Sequence, residues 1–335
     1  MVVFPHAKLN LGLHVTGRYN RDQSEATGCT TTDAPPEAGH EQHMRKAGYH
    51  EIESIMIPLG VKDILEVVPA SNQPTTLRVS GLQIPANGKI NLCLQAYELL
   101  RQEVKTKNIP VNNPWTGYPE TSLPNVRIFL HKIIPAGSGL GGGSSNAGFT
   151  LMLLNKMFDL GMSVQHLDNL CKKLGSDCPF FLYDQPMLAT GRGEILQPLQ
   201  LPQLKKYTAL VIAPPIHVST KTAYSLVKPK PAGKNLWEIS KQNVETWQQD
   251  LVNDLEEPVF RLYPEIRQIK EKLLASGAVC ASMSGSGSAL YGLFRTAPPE
   301  KDLQILFPGY RIDKVKTDVF QKSLFLCPSA VPLHQ

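Results

Sequence analysis

The segment pattern predicts an α+β fold. Strand-like and helical stretches are mixed along the chain without the strict β-α-β alternation of a doubly wound sheet. Strand patterns dominate residues 1–85. The second half places further strands on both sides of a long helical region.

Taken in order, "KLNLGLHV" alternates Leu9, Leu11 and Leu13 with Asn10, Gly12 and His14, the period of a half-buried strand. "YHEIESIMIPL", "DILEVV" and "TLRVSGL" read as strands too. "KINLCLQAYELLRQEV" sets Leu92, Ala96, Leu99 and Leu100 at helical spacing. The strand "NVRIFLHKI" leads into a glycine run, and a helix is expected from about Asn146 to Leu160. Ala147, Leu151, Leu154 and Phe158 share its face, and Gly161 caps its end. Ser163 caps the next helix, which stops at Gly175.

Strands "MLATGRGEIL" and "YTALVIAPP" follow, then a helical region from about Val244 to Ala275, broken near Pro258 and Pro264. A glycine-serine turn in "SMSGSGSALYGLF", a short helix and a last strand "YRIDKVKT" complete the order. Residues 20–47 and 106–124 are polar and aperiodic or rich in Pro, Asn and Gly, and read as long loops or partly disordered insertions.

At 335 residues, 42% hydrophobic and 19% charged, the chain is long enough for two domains and has an ordinary globular composition. A formal charge of +5 suits an anionic small molecule and is too mild and scattered for a nucleic-acid partner. The six cysteines lie far apart with no C-x-x-C pair, which excludes a disulfide framework and a zinc site and fits a reducing compartment. The chain opens on a strand pattern rather than a signal peptide, and no stretch is apolar for the roughly 18 residues of a membrane span. The expected setting is cytoplasmic, without a membrane partner. His40 and His43, H-x-x-H beside Glu41, are one residue short of the zinc-protease spacing and read as solvated loop. Cys178 reads as packing.

The strongest signal is "IPAGSGLGGGSSNAG", residues 134–148. A Walker A loop requires lysine after its last glycine, and here Ser144 follows Gly143. Gly137, Gly139 and Gly142 do match the dinucleotide fingerprint, with Asp159 about 20 residues on. That fold wants a continuously apolar strand before the loop, whereas Val126, Ile128 and Leu130 alternate with Arg127, Phe129 and His131. The third design is an anion nest of backbone N–H groups from Gly139 to Ser145, backed by the dipole of the following helix. Ser144, Ser145 and Asn146 add donors at the cap.

"PAGSGLGGGSSNAG" resembles the phosphate-binding motif of the GHMP small-molecule kinases. "PHAKLNLGLHVTGR" is similar to that family's first motif and "MSGSGSALYGLF" to its third. "GYHEIESIMIPL" resembles a segment of the members whose acceptor is a cytidine diphosphate sugar alcohol. "LGSDCPFFL", "ATGRGE" and "NDLEEPVF" fall in the family's order.

The resemblance implies an N-terminal ribosomal-protein-S5-like α/β domain over residues 1–200, which holds ATP, and a C-terminal ferredoxin-like α+β domain over 201–335. It implies ATP and Mg2+, with Ser144 or Ser145 as a magnesium ligand, a small-molecule acceptor, and a monomer or weak homodimer. Pro135, Gly137, Gly139, Leu140, Gly141, Gly142, Gly143, Ser144, Ser145 and Asn146 would bind the ATP phosphates, with Asn91 on the adenine side. Asp177 would accept the proton of the acceptor hydroxyl with Lys8 beside it. A helix start after Asp177 would keep its carboxylate ionised. Asn10 shares a strand face with Lys8 and would bind the acceptor. Tyr49 would stack on the base, His50 would hydrogen-bond its edge, and Gly285, Ser286 and Gly287 would shape the pocket. Residues 20–47 depart from the family pattern, which runs almost directly from the first motif into Gly-Tyr-His. Another GHMP kinase, of homoserine or mevalonate type, and a non-catalytic nucleotide-binding homologue are the alternatives.

Overall fold

A computed structural model describes residues 1–18, 49–70, 73–84, 88, 90–229 and 234–317. The first insertion, with His40 and His43, lies outside the described residues.

The chain begins with β1 (Val2–Val3), β2 (His6–Arg18), β3 (His50–Lys62), β4 (Ile64–Pro69) and β5 (Thr76–Gly81), followed by α1 (Leu92–Thr106). A small hairpin of β6 (Val111–Asn112) and β7 (Pro119–Glu120) precedes β8 (Val126–Lys132), α2 (Gly142–Met157) and α3 (Val164–Leu174). β9 (Met187–Thr190) and β10 (Ile195–Pro198) lead into β11 (Thr208–Ala213). Then come α4 (Thr220–Leu226), α5 (Leu236–Ser240), α6 (Trp247–Asp250), α7 (Glu256–Leu262) and α8 (Pro264–Ala275). β12 (Cys280–Met283), β13 (Leu290–Phe294), α9 (Glu300–Leu306) and β14 (Arg311–Lys316) complete the order.

Three four-stranded sheets run β1-β4-β8-β5, β10-β9-β3-β2 and β12-β13-β11-β14. Among them only the β5–β8 pair is parallel, as an α+β fold requires. In β8 the buried residues Val126, Ile128 and Leu130 alternate with exposed Arg127 and His131, so this strand has one wet face. The first sheet packs on α1, α2 and α3 through a core that includes Tyr97, Phe149 and Phe158. The β2–β3 ribbon is the joint of the molecule. Its near half shares a core with β11, β13 and Trp247, and its far end, Leu13 and Val15, enters a third core with α7, α8 and Phe294. Backbone bonds from Leu13 N to Val252 O (3.0 Å) and from Asp254 N to Leu13 O (2.8 Å) fasten the ribbon to the second half.

Four local expectations are corrected. The helix after the glycine run starts at Gly142, not near Asn146, and ends at Met157. Gly141 at φ +70 turns the chain directly into it, so Ser144, Ser145 and Asn146 lie inside the first turns. "MLATGRGEIL" is a hairpin, because Gly191 (φ +69) and Gly193 (φ +109) reverse the chain between β9 and β10. Pro258 does not break a helix. It sits in the first turn of α7, where an N–H has no intrahelical partner to lose, and the break falls between α6 and α7. Residues 106–124 are not a loose loop. Val111 and Leu123 are buried, Asn112 N donates to Phe158 O (3.0 Å), and Trp115 meets Phe158 edge-on.

Candidate active site

Between β8 and α2 the backbone alternates through three left-handed glycines, Gly137 (φ +69), Gly139 (φ +80) and Gly141 (φ +70). Only glycine adopts such a series without strain. The loop is fastened on two sides. Lys8 N donates to Leu140 O (3.0 Å), and Ala289 N donates to Ser138 O (3.0 Å). Ser138 Oγ closes the turn onto Pro135 O (2.8 Å). α2 has no side-chain cap, and Ser145 N is bonded to Gly141 O, so the N–H groups of Gly142, Gly143 and Ser144 precede the first intrahelical bond. An uncapped helix start on a glycine-rich loop is an anion site.

The second glycine turn, between β12 and β13, is packed against the first. Ser284 Oγ donates to Gly139 O (3.1 Å) and accepts from Asn10 N (3.1 Å). Asn253 Nδ2 donates to the carbonyls of Met283 and Gly285, each at 2.8 Å. A Cβ on Gly285 would lie 3.1 Å from Asn10 Oδ1 and 3.4 Å from Lys8 Nζ. The second turn thus packs on the Lys8 and Asn10 side chains, and the first turn meets Lys8 as well, where a Cβ on Gly141 would lie 2.9 Å from Lys8 Cγ.

Lys8 is 3% exposed, and its ammonium donates to Asn10 Oδ1 and lies 3.4 Å from Asp177 Oδ2. Asn10 is held in place by Ser54, through Nδ2→Oγ at 2.7 Å, and Ser54 in turn bonds Gly12 O (2.6 Å). Asp177 is half-exposed and faces Lys8 from the segment before Pro179–Leu182, a single 3-10 turn. The expected helix dipole at this point is thus one short turn, and the cation beside the carboxylate is the buried ammonium of Lys8. The pair joins a fixed positive charge to an accessible base. Cys178, next to Asp177, is buried, with its thiol pushed up to about 12 by burial and further by the charge of Asp177, while a bond with Ser144 opposes the shift.

Tyr49 is half-exposed, with the Arg192 guanidinium 5.0 Å from its ring centre. His50 is buried at the start of β3, where burial and then the charge of Arg18 lower its pKa and favour the neutral ring. The Tyr224 ring, on α4, stands 5.3 Å from His50. Burial and then the charge of Asp177 raise the pKa of the Tyr224 phenol. Ser286 Oγ and Thr220 Oγ1 are 3.0 Å apart, tying the second glycine turn to the start of α4. Gly193 sits where a Cβ would be 3.8 Å from Asp177 Oδ1.

Two expected site residues point elsewhere. Asn146 is buried and donates to Asp63 Oδ2 (2.8 Å) while accepting from Lys132 Nζ (3.1 Å), so its amide faces the interior rather than the loop. Asn91 caps α1 by accepting from Cys93 N (2.9 Å). Its neighbour Leu92 lies 3.5 Å from a Cβ built on Gly143, which leaves Asn91 near the loop with its side-chain oxygen committed to the cap. Ser145 Oγ is fully buried without a hydrogen-bond partner. Among the described residues no group of three or more His, Cys, Asp or Glu side chains is placed to hold a metal.

The profile described as GHMP kinases N terminal domain matches residues 91–185, and that described as GHMP kinases C terminal matches residues 235–307. The chain is 40% identical over 296 residues to 4-diphosphocytidyl-2-C-methyl-D-erythritol kinase of Azobacteroides pseudotrichonymphae, covering 88% of this chain and 94% of that one. It is 37% identical to the protein of the same name from Bacteroides fragilis, covering 90% and 94%. A crystal structure of 4-(cytidine 5'-diphospho)-2C-methyl-D-erythritol kinase superposes with a TM-score of 0.66 at 29% identity, covering 94% of this chain and 99% of that one. A mevalonate kinase structure, at 13% identity and a TM-score of 0.60, shares the fold, covering 94% of this chain and 98% of its own.

Proposed function

Because the chain belongs to the 4-diphosphocytidyl-2-C-methyl-D-erythritol kinases of the GHMP family, we propose that it carries out the reaction for which these relatives are named. The γ-phosphoryl group of ATP passes to the 2-hydroxyl of 4-diphosphocytidyl-2-C-methyl-D-erythritol, a step of the non-mevalonate route to isoprenoid precursors. The observation that carries this reading is the Lys8–Asp177 pair, 3.4 Å apart, beside two interlocked glycine turns.

In this reading the α2 N–H groups of Gly142, Gly143 and Ser144 hold phosphate oxygens. Asp177 accepts the proton of the acceptor hydroxyl, and Lys8 neutralises charge on the migrating phosphoryl group. Asn10, fixed by Ser54 and Lys8, orients the hydroxyl. Tyr49, His50 and Tyr224 receive the cytosine, whose flat face and donor-acceptor edge suit a half-exposed ring beside a neutral imidazole. That aromatic group favours this acceptor over homoserine or mevalonate, which carry no base.

Magnesium bound with ATP would neutralise the triphosphate. Ser144, part-exposed in the first turn of α2, is the serine open to it, since the Ser145 hydroxyl is fully buried. The domain boundary is placed near residue 200, with the acceptor between the two units, and the enzyme is taken as a cytoplasmic monomer or weak homodimer. No helix among the described residues is long and apolar enough to cross a membrane.

The test is ADP release from Mg-ATP with and without the diphosphocytidyl acceptor, wild type beside Asp177→Asn. Acceptor-dependent turnover is expected, with kcat falling by about 10²–10⁴ in the variant, the usual contribution of a positioned base. Turnover on homoserine or mevalonate but not on this acceptor would overturn the assignment.

A further inference from the structure

Away from the cleft, a second concavity of about 650 Å³ opens where the start of β2, the end of β3 and the edge strand β14 meet. It shares no residue with the candidate active site. The two strands touch where Gly60 passes Val315: a Cβ on Gly60 would be 3.3 Å from Val315 Cγ1.

His6 lines this groove and is 4% exposed. Its Nδ1–H donates to Ala7 O at 2.8 Å. A carbonyl can only accept, so the proton of the neutral ring is on Nδ1 and Nε2 carries the lone pair. Burial lowers the His6 pKa and Lys62 lowers it further, against the raising effects of the Ala7 bond and Asp184, so the ring is neutral near pH 7. The rings of Phe149 and Phe181, at 5.5 Å and 5.4 Å, fix its orientation. Nε2 is buried without a hydrogen-bond partner. Asp184 Oδ1, at 3.7 Å, is beyond hydrogen-bond reach and is itself an acceptor. The groove thus holds a buried acceptor that calls for a donor. Lys62, Lys314 and Lys316 also line it and form no ion pair among the described residues, whereas Arg311 is paired with Asp313 at 2.7 Å and 2.8 Å.

We propose that this groove binds a small phosphate ester carrying a free hydroxyl. The hydroxyl donates to His6 Nε2, and the phosphate oxygens accept from the ammonium groups of Lys62, Lys314 and Lys316. A bare anion offers His6 no donor and a neutral polyol offers the lysines no acceptor, so the two halves of the groove together select a molecule with both groups. His6 lies two residues before Lys8 on β2, and Asp184 follows the 3-10 turn that begins just after Asp177. An occupant would therefore touch both segments that carry the catalytic pair.

The experiment uses full-length protein with ¹⁵N-labelled histidine and a saturating non-hydrolysable ATP analogue. Glycerol 3-phosphate is titrated in, with glycerol and inorganic phosphate as controls. The His6 resonance is assigned from the spectrum of His6→Gln, or, if that variant does not fold, from its neutral Nδ1-H tautomer. The His6 Nε2 signal should shift and saturate with glycerol 3-phosphate at millimolar concentration or below, and far more weakly with either control. Lys314→Ala/Lys316→Ala changes two exposed residues and should weaken binding on the order of tenfold to a hundredfold, the loss of one to two charge-assisted contacts. An unmoved His6 signal, or binding indifferent to the two lysines, would overturn the proposal.

Discussion

Replacing Asp63 by Asn changes one oxygen into an amide and leaves a buried ammonium without its counter-charge. Asp63 is fully buried. Its Oδ1 accepts from Ile133 N (2.6 Å) and Ile134 N (2.8 Å), while Oδ2 accepts from Asn146 Nδ2 (2.8 Å) and from the Lys132 ammonium. If the Asn oxygen keeps the two backbone donors, its new NH2 faces two further donors. Removing one partner of a buried ion pair costs about 3–5 kcal/mol, because the other charge stays behind. That is a large share of the roughly 5–15 kcal/mol that holds a domain folded.

Urea unfolding of wild type, Asp63→Asn, Lys132→Met and the double variant measures it. The double variant should lose no more than Asp63→Asn alone, since a neutral pair leaves no stranded charge. Single-variant losses that simply add, within about 0.5 kcal/mol, would refute the reasoning. The same carboxylate grips the chain just before the glycine loop and again in the first turns of α2. Asp63→Asn should therefore raise KM for ATP while leaving acceptor affinity near its wild-type value.

Gly139→Ala should lower kcat/KM at least about tenfold, because its φ of +80° disfavours a side chain and the new Cβ would collide with the Ser284 carbonyl. Gly161→Ala, at φ +64 with nothing within 4 Å, should cost roughly 1 kcal/mol in a denaturation curve and leave kcat/KM unchanged. Tyr49→Ala should raise KM for the acceptor roughly fivefold to 150-fold, the worth of one stacking face at about 1–3 kcal/mol, with KM for ATP unmoved. An equal rise in both would show that the ring supports the fold rather than the base.

Burial also raises the thiols of Cys93, to about 11, and of Cys178 and Cys280, to about 12, from an ordinary 9.0. Their protons are held more tightly in the folded state. The stabilisation is therefore complete below pH 9 and is lost as pH climbs toward 11–12, at about 1.4 kcal/mol per thiol per pH unit. The urea midpoint should fall over that range, and iodoacetamide at pH 8 should spare Cys178 until the protein is unfolded. Rapid native labelling of Cys178 would contradict its burial.

What could be read from residue order alone is what local chemistry determines. The alternation of Leu9, Leu11 and Leu13 marks β2 and these three side chains are buried, but Lys8 and Asn10 between them are buried as well, so the expected half-buried strand is covered on both faces here. Ser163 caps α3 by accepting from His166 N, and Gly175 ends it, as their residue types dictate. The misplacements are cases where a turn conformation overrides a propensity. Serine and asparagine favour caps, yet a left-handed Gly141 starts α2 earlier and draws Ser144, Ser145 and Asn146 inside. The Gly-Arg-Gly of 191–193 hides a reversal within a strand-like run because its flanks, Leu188 and Leu196, belong to two paired strands.

The site divides along the same line. Lys8, Asp177 and the two glycine turns belong to contiguous motifs, and the structure brings them together. The residues that position them carry no chemical signature of their own, although Ser54, Asn253 and Ser284 lie within the same quoted motifs. Ser54 and Ser284 read as ordinary serines of a strand and a turn, and each matters only because Asn10 lies across from it, 44 and 274 positions away. Asn253 links two carbonyls 30 and 32 residues downstream. Asp63 and Lys132 are separated by 69 positions and look like surface charges until the fold buries both. A buried charge shows itself only when its partner is known, because an unpaired one would not be tolerated there. The Lys8–Asp177 pair is legible because it sits in motifs, and its supports are legible only once the β2–β3 ribbon has been threaded through both halves of the molecule.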